Sequence, residues 1–173
     1  MITQWKRLLW SLGKPILLAL VIGMSTSAMG KEITSLTLEY AVTPSERAEG
    51  LMFRPRLPEN HGMLFVFTHP QKISLWMLNC LIDLSVAFLD ESHVIREIRE
   101  LRAYPHIKSV EFFAERLVTS SFDACYALEM EKGWFEAHGI ESGDRLFFRQ
   151  NSPDAYLVHP ESNNSGLGMN LSH

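Results

Sequence analysis

Three short apolar runs follow one another closely: residues 62–67 (GMLFVF), 73–77 (ISLWM) and 84–89 (LSVAFL). Each is one strand long, and length favours strands over helices, although periodicity alone does not exclude a buried helix. Asn79 and Asp83 stand between the last two runs. Polar residues so close to a core ordinarily satisfy backbone groups in tight turns. Just upstream, Thr43-Pro44-Ser45-Glu46 carries a helix start. Threonine caps free N–H groups, proline fits the first helical position, and a glutamate three residues on completes a capping box. Gly50 and Pro55 limit this helix to about two turns.

The remaining chain continues in the same style. Residues 33–42 alternate well enough for an opening strand, with Ile33, Leu36, Leu38 and Tyr40 as the bulky members. Ser92-His93 reads as a hairpin turn into a strand over 94–101, where a helical spacing of Val94, Ile98 and Leu101 also fits. Residues 110–118 are compatible with a short amphipathic helix or a strand. Residues 124–130 form a strand, 133–138 a short helix ended by Gly139, and 145–149 a final strand. The polar stretch from 150 to 173 lacks apolar periodicity and reads as a disordered tail. The expected fold is therefore mostly β (α+β), with about seven strands and two or three short helices. Closure into a small closed or nearly closed β-barrel would remove exposed edges.

The 173-residue length suits one domain, placed at 31–149. Residues 1–30 read as a signal peptide: Lys6, Arg7 and Lys14 lead, an apolar part spans 15–24, and Ala28-Met29-Gly30 fits a cleavage site. The protein is therefore expected to be exported to the periplasm. The alternative is an inner-membrane anchor over residues 8–24. Without the first thirty residues the chain has 13 basic against 20 acidic residues, a net charge of −7. That balance argues against nucleic-acid backbone binding and against docking of the mature domain to anionic membrane.

Chemistry is sparsely signalled. Cys80 and Cys125 are the only cysteines. In an exported protein they are candidates for a disulfide, against the plainer reading of two buried thiols. None of the seven histidines is paired at helical spacing, so no metal site and no cofactor are expected. Neither a nucleophile elbow nor a phosphate-cradling glycine loop is present. Arg54, Trp76 and Asn79 are the candidate ligand-binding residues. Arginine offers a planar fork for carboxylate or phosphate, tryptophan a flat apolar surface, and asparagine both donor and acceptor. The plainer reading pairs Arg54 with Glu46 or Glu49, buries Trp76 in the core and uses Asn79 to close a turn. Met52, Met63 and Met77 read as core fillers.

Gly50-Leu51-Met52 with Arg54, the run 62–67, Trp76-Met77 with Asn79, and Gly133-Trp134 with His138-Gly139-Ile140 and Gly143-Asp144 occur in an order that resembles domain-of-unknown-function family 192. The resemblance covers about residues 36–149. It implies a small, mostly β domain, often exported, with no agreed activity. The departures fall together: where the family's pattern reads W-M-K-N-T, this chain has Leu78 for the lysine and Cys80 for the threonine, and where the next element resembles I-P-L-D it has Ile82-Asp83-Leu84-Ser85, without the aspartate. A site shared by members in that region would be altered or absent here. The functional expectation is a non-catalytic envelope module that binds a small ligand or another protein. The alternatives are a hydrolase or transferase with a loop-assembled site, and a structural accessory protein.

Overall fold

The computed structural model describes residues 33–149 and 152–158. The leader and the alternative anchor over 8–24 lie outside the described residues, as does the tail beyond 158. Among the described residues no helix is long and apolar enough to cross a membrane.

Seven strands form one curled sheet in the order β5-β4-β7-β2-β1-β9-β8. They are β1 (Thr34–Ala41), β2 (His61–Gln71), β4 (Leu84–Leu89), β5 (Ile95–Leu101), β7 (Ala124–Glu131), β8 (Arg145–Phe148) and β9 (Asp154–Val158). A two-stranded ribbon pairs β3 (Ser74–Leu75) with β6 (Val118–Thr119). The helices are α1 (Pro44–Glu49), α2 (Val110–Ala114) and α3 (Trp134–Ala137). β1 and β2 run parallel, and the other pairings of the large sheet are antiparallel.

Alternate residues of the central strands feed two cores. Met63, Phe65, Val86 and Phe88 point to one side, where Leu51, Ile73, Leu75 and Phe113 cover them. Leu64, Ala87, Leu89 and Leu128 point to the other, against Trp134, Phe135 and Ile140. Every residue of β4 is buried, so its sequence is an unbroken run instead of an alternation. The second core also takes Leu36, Leu38, Ile95, Leu146 and Leu157 from strands across the whole sheet, which curls around it. The edges β5 and β8 touch at one corner. Ile95 N–H donates to the Asp144 carbonyl (2.8 Å), and Leu146 N–H donates to the His93 carbonyl (3.0 Å). The barrel is thus nearly closed but open along the rest of that seam.

Three expectations are refined by the structure. The run 73–77 pairs only at Ser74–Leu75, because Trp76 and Met77 turn away into a loop. Residues 110–118 divide into helix and strand: the Ser109 hydroxyl caps Phe112 N–H at 3.2 Å to start α2, and Val118 then joins the ribbon. The polar stretch from 150 holds a strand, since Ala155 and Leu157 reach the second core while Leu36 and Thr34 pair with them. Five residues of alternation had been masked by the polar residues around them.

Candidate functional site

The capping box at Thr43 forms as read. Glu46 N–H donates to Thr43 Oγ1 (3.2 Å), and Thr43 N–H donates to a Glu46 carboxylate oxygen (2.8 Å). This fixes α1 against the sheet. Arg47 on α1 donates to the carbonyls of Val42 and Val66, the latter at 3.0 Å, and its guanidinium lies 4.6 Å from the centre of the Phe67 ring. After Gly50 the chain makes a tight turn in which Phe53 has φ +62°. Phe53 N–H donates to the Asn79 carbonyl at 2.9 Å, stitching this turn to the loop that follows β3.

The three candidate residues surround that seam. The Arg54 guanidinium forms a two-point pair with Glu39 on β1, with Nη2 to Oε2 at 2.7 Å, so its partner is neither Glu46 nor Glu49. Asn79 adopts φ +56° in its turn, and its amide donates to the Met52 sulfur at 3.7 Å. Trp76 is half-buried and packs against the first core; its Nε1–H reaches the Ala48 carbonyl at 3.4 Å. Of the three, only Trp76 lines the recess between α1 and the sheet.

That recess has a cavity volume of about 20 Å³ and is lined by Met52, Phe65, Trp76, Leu78, Cys80 and Glu129, with Arg47 and Glu49 from α1. By volume it has room for about one water-sized group. Glu129 sits on β7 in the middle of the sheet, between Met63 of β2 and Val86 of β4. It is only 4% exposed. Four polar side chains are buried among the described residues: Ser85, Ser120, Glu129 and Asp144. Ser85 donates to Glu100 (2.6 Å), Ser120 to the Phe122 carbonyl (2.7 Å), and Asp144 accepts from Glu141 N–H (2.9 Å). The Glu129 carboxyl makes no hydrogen bond to any described residue. Burial pushes it up to about 8, so at neutral pH it holds its proton. Burial, together with the Glu129 carboxylate, pushes the Cys80 thiol up to about 12. It is an inert thiol and not a nucleophile.

Cys80 and Cys125 are both buried and both free. Cys80 feels Glu129, whereas Cys125 feels Asp90 and Glu91 at the β4–β5 turn. Glu129 and Cys125 are four residues apart on β7, roughly 13 Å along a strand, which separates the two thiols. His138 stacks on Trp134 at 4.2 Å and bonds to the Trp134 carbonyl (2.8 Å). No group of three or more histidine, cysteine or carboxylate side chains stands ready for a metal ion among the described residues. Two wider depressions are more open. One lies beside Glu100, Glu136 and Glu141, the other between β1 and β9.

Glu129 was absent from the sequence reading. The available signal was a single acid at an inward period-two position of an otherwise apolar strand, ACYALEM.

The family model for DUF192, described as "Uncharacterized ACR", matches residues 25–148. The chain belongs to this family. Of the departures from the DUF192 pattern, Leu78 and Cys80 line the recess with Glu129, whereas Asp83 and Ser85 do not. No curated protein matches the sequence. Among solved structures, the chain is similar to a "putative transcription regulator" from Sinorhizobium meliloti 1021, at 34% identity and a TM-score of 0.55. The match covers 64% of this chain and 79% of that one. It is also similar to a protein of unknown function from Novosphingobium aromaticivorans DSM 12444, at 26% identity and a TM-score of 0.54, covering 69% and 87%.

Proposed function

We propose that this protein is an exported, non-catalytic binding module of the periplasm whose ligand seats in the recess beside Trp76. The observation that carries the reading is the unpartnered carboxyl of Glu129 at that recess. Buried polar groups are nearly always hydrogen-bonded, to protein or to an ordered water, because leaving one unpaired costs about 1–3 kcal/mol. An orphan that lines a cavity is available to a group from outside. Trp76 supplies an apolar wall for such a group. Arg54, committed to Glu39, and Asn79, committed to its turn, shape the surrounding loop. Export is supported by the charged, apolar and small-residue pattern of residues 1–30.

The binding reading is tested by screening small polar fragments by NMR while following the Trp76 indole N–H. A subset of fragments is expected to shift that resonance and leave Trp134 unmoved. A screen in which nothing moves Trp76 overturns the reading. Export is tested separately by osmotic shock and intact mass. A soluble species beginning at Lys31 is expected, and a full-length species held in the membrane would overturn it in favour of the anchor.

A further inference from the structure

We propose that the recess is a receptor for a primary ammonium group, with Glu129 as its counter-charge. This inference rests on the binding reading above and specifies what binds.

Size comes first. The cavity of about 20 Å³ takes one water-sized head, and an ammonium group is of that size. The rest of any ligand must leave as a thin stem, and Met52, Leu78 and the Trp76 ring are among the apolar residues lining the recess. An alkyl stem suits apolar walls of this kind. The rings of Trp76 and Phe65 also line the recess, and an aromatic face favours a cation over an anion.

Charge comes second. The ionisable groups lining the recess are Glu129 from β7, Cys80 from the loop before β4, and Arg47 and Glu49 from α1. The residues flanking Glu129 on β2 and β4 are Met63 and Val86, which carry no charge. Arg47 donates to two backbone carbonyls, lies against the Phe67 ring and makes no ion pair with Glu129, whose shift comes from burial. Glu49 is exposed and adds negative charge on the α1 side. An entering anion would face the Glu49 charge and could form no ion pair with the protonated Glu129. A neutral hydroxyl would leave the carboxyl in its protonated state. An ammonium group converts a buried, unsatisfied acid into a hydrogen-bonded ion pair.

The exchange is balanced. The protonated Glu129 carboxyl and the incoming R–NH3⁺ give a carboxylate–ammonium pair, and one proton leaves to solvent. Binding therefore strengthens as pH rises toward the point at which Glu129 ionises unaided, and levels off above it.

The test titrates the protein with n-butylamine and with Nα-acetyl-lysine methylamide. n-Butanol and the Nζ-acetylated lysine analogue serve as uncharged counterparts. Binding is read by calorimetry in buffers of different ionisation heat and by the Trp76 indole resonance. Both amines are expected to bind and the uncharged pair is not. Affinity should rise roughly tenfold from pH 6 to 7, with about one proton released per amine bound. Glu129→Gln should weaken amine binding roughly tenfold or more and abolish the pH dependence. Its melting midpoint is measured alongside to show that the variant is folded. Leu78→Lys, which tethers an ammonium at the recess wall, should block binding independently. Tighter binding of the lysine analogue than of butylamine supports the proposal with a protein side chain as source, and equal binding supports it with a free amine as source. If butanol moves Trp76 as well as butylamine does, or if Glu129→Gln binds amines unchanged, the ammonium proposal falls while the binding reading stands. If no compound moves Trp76, the ammonium proposal falls, and the fragment screen alone decides the binding reading.

Discussion

A carboxyl group with no hydrogen-bond partner, held between Met63 and Val86, keeps its proton more firmly in the folded chain than in the unfolded one. For Glu129 the folded value is about 8, against the ordinary 4.5. Between these values the folded state carries one proton more than the unfolded state, so stability falls as pH rises across that interval. Below it both states are protonated and nothing is lost; above it the penalty is constant. Asp83 and Glu97 act in the opposite sense. The Ala103 and Ser121 N–H groups hold their carboxyls low, and the stability they confer is lost as pH falls through those lowered values. The unliganded protein should therefore melt at a higher temperature at about pH 5 than at about pH 8.5. Glu129→Gln should flatten the alkaline side and gain up to a few kcal/mol there. A variant with the wild-type slope would show that Glu129 is solvated in the folded chain. Its neighbour Gly62 is constrained by space: an added Cβ would lie 2.2 Å from Met130 Sδ and 2.5 Å from the Glu129 carbonyl oxygen. Gly62→Ala should cost about 1–3 kcal/mol or more in urea unfolding, because the neighbour includes backbone of the adjoining strand.

Among the elements, α1 depends on its cap. It has six residues, none of them buried, so little packing compensates for a weakened start. Thr43→Ala should destabilise the protein by about 1 kcal/mol in the same unfolding assay, and Thr43→Ser by much less. This helix was legible in the sequence because all its determinants are local: cap, proline and glutamate lie within four positions. β4 was legible for a related reason, since burial on both faces writes itself as an unbroken apolar run. β9 was not, because its five residues gain their meaning only from the partners Leu36 and Thr34 more than a hundred positions away. The recess was hidden in the same manner. Met52 follows α1, Leu78 follows β3 and Glu129 lies on β7, and only the adjacency of β7 to β2 brings them together. Trp76 could be read as a wall because its chemistry is visible in isolation. Arg54 could not be matched to Glu39, since nothing in the chain announces that β1 passes beneath that loop.

At the scale of the whole molecule, β9 is the strand on which sheet continuity depends. It lies between β1 and β8, and β8 pairs along its length with β9 alone, touching the other edge only near Val94. A chain ending at residue 149 should lose Ala155 and Leu157 from the second core and uncover the edge of β1. The expected result is loss of a cooperative melt and aggregation in size-exclusion chromatography, since unpaired edges recruit other chains. A truncated monomer with a sharp transition would show that β8 and β9 are ornaments on a five-stranded sheet.

The pairing of Thr34 with Leu157 also has a consequence in time. Synthesis runs from one end of a protein to the other, and here the strand that flanks β1 is the last of the sheet to be made. While the ribosome is still translating, β1 lacks that neighbour and the second core lacks Ala155 and Leu157. Until β9 has emerged, one edge of β1 stays unpaired and open to strands of other chains.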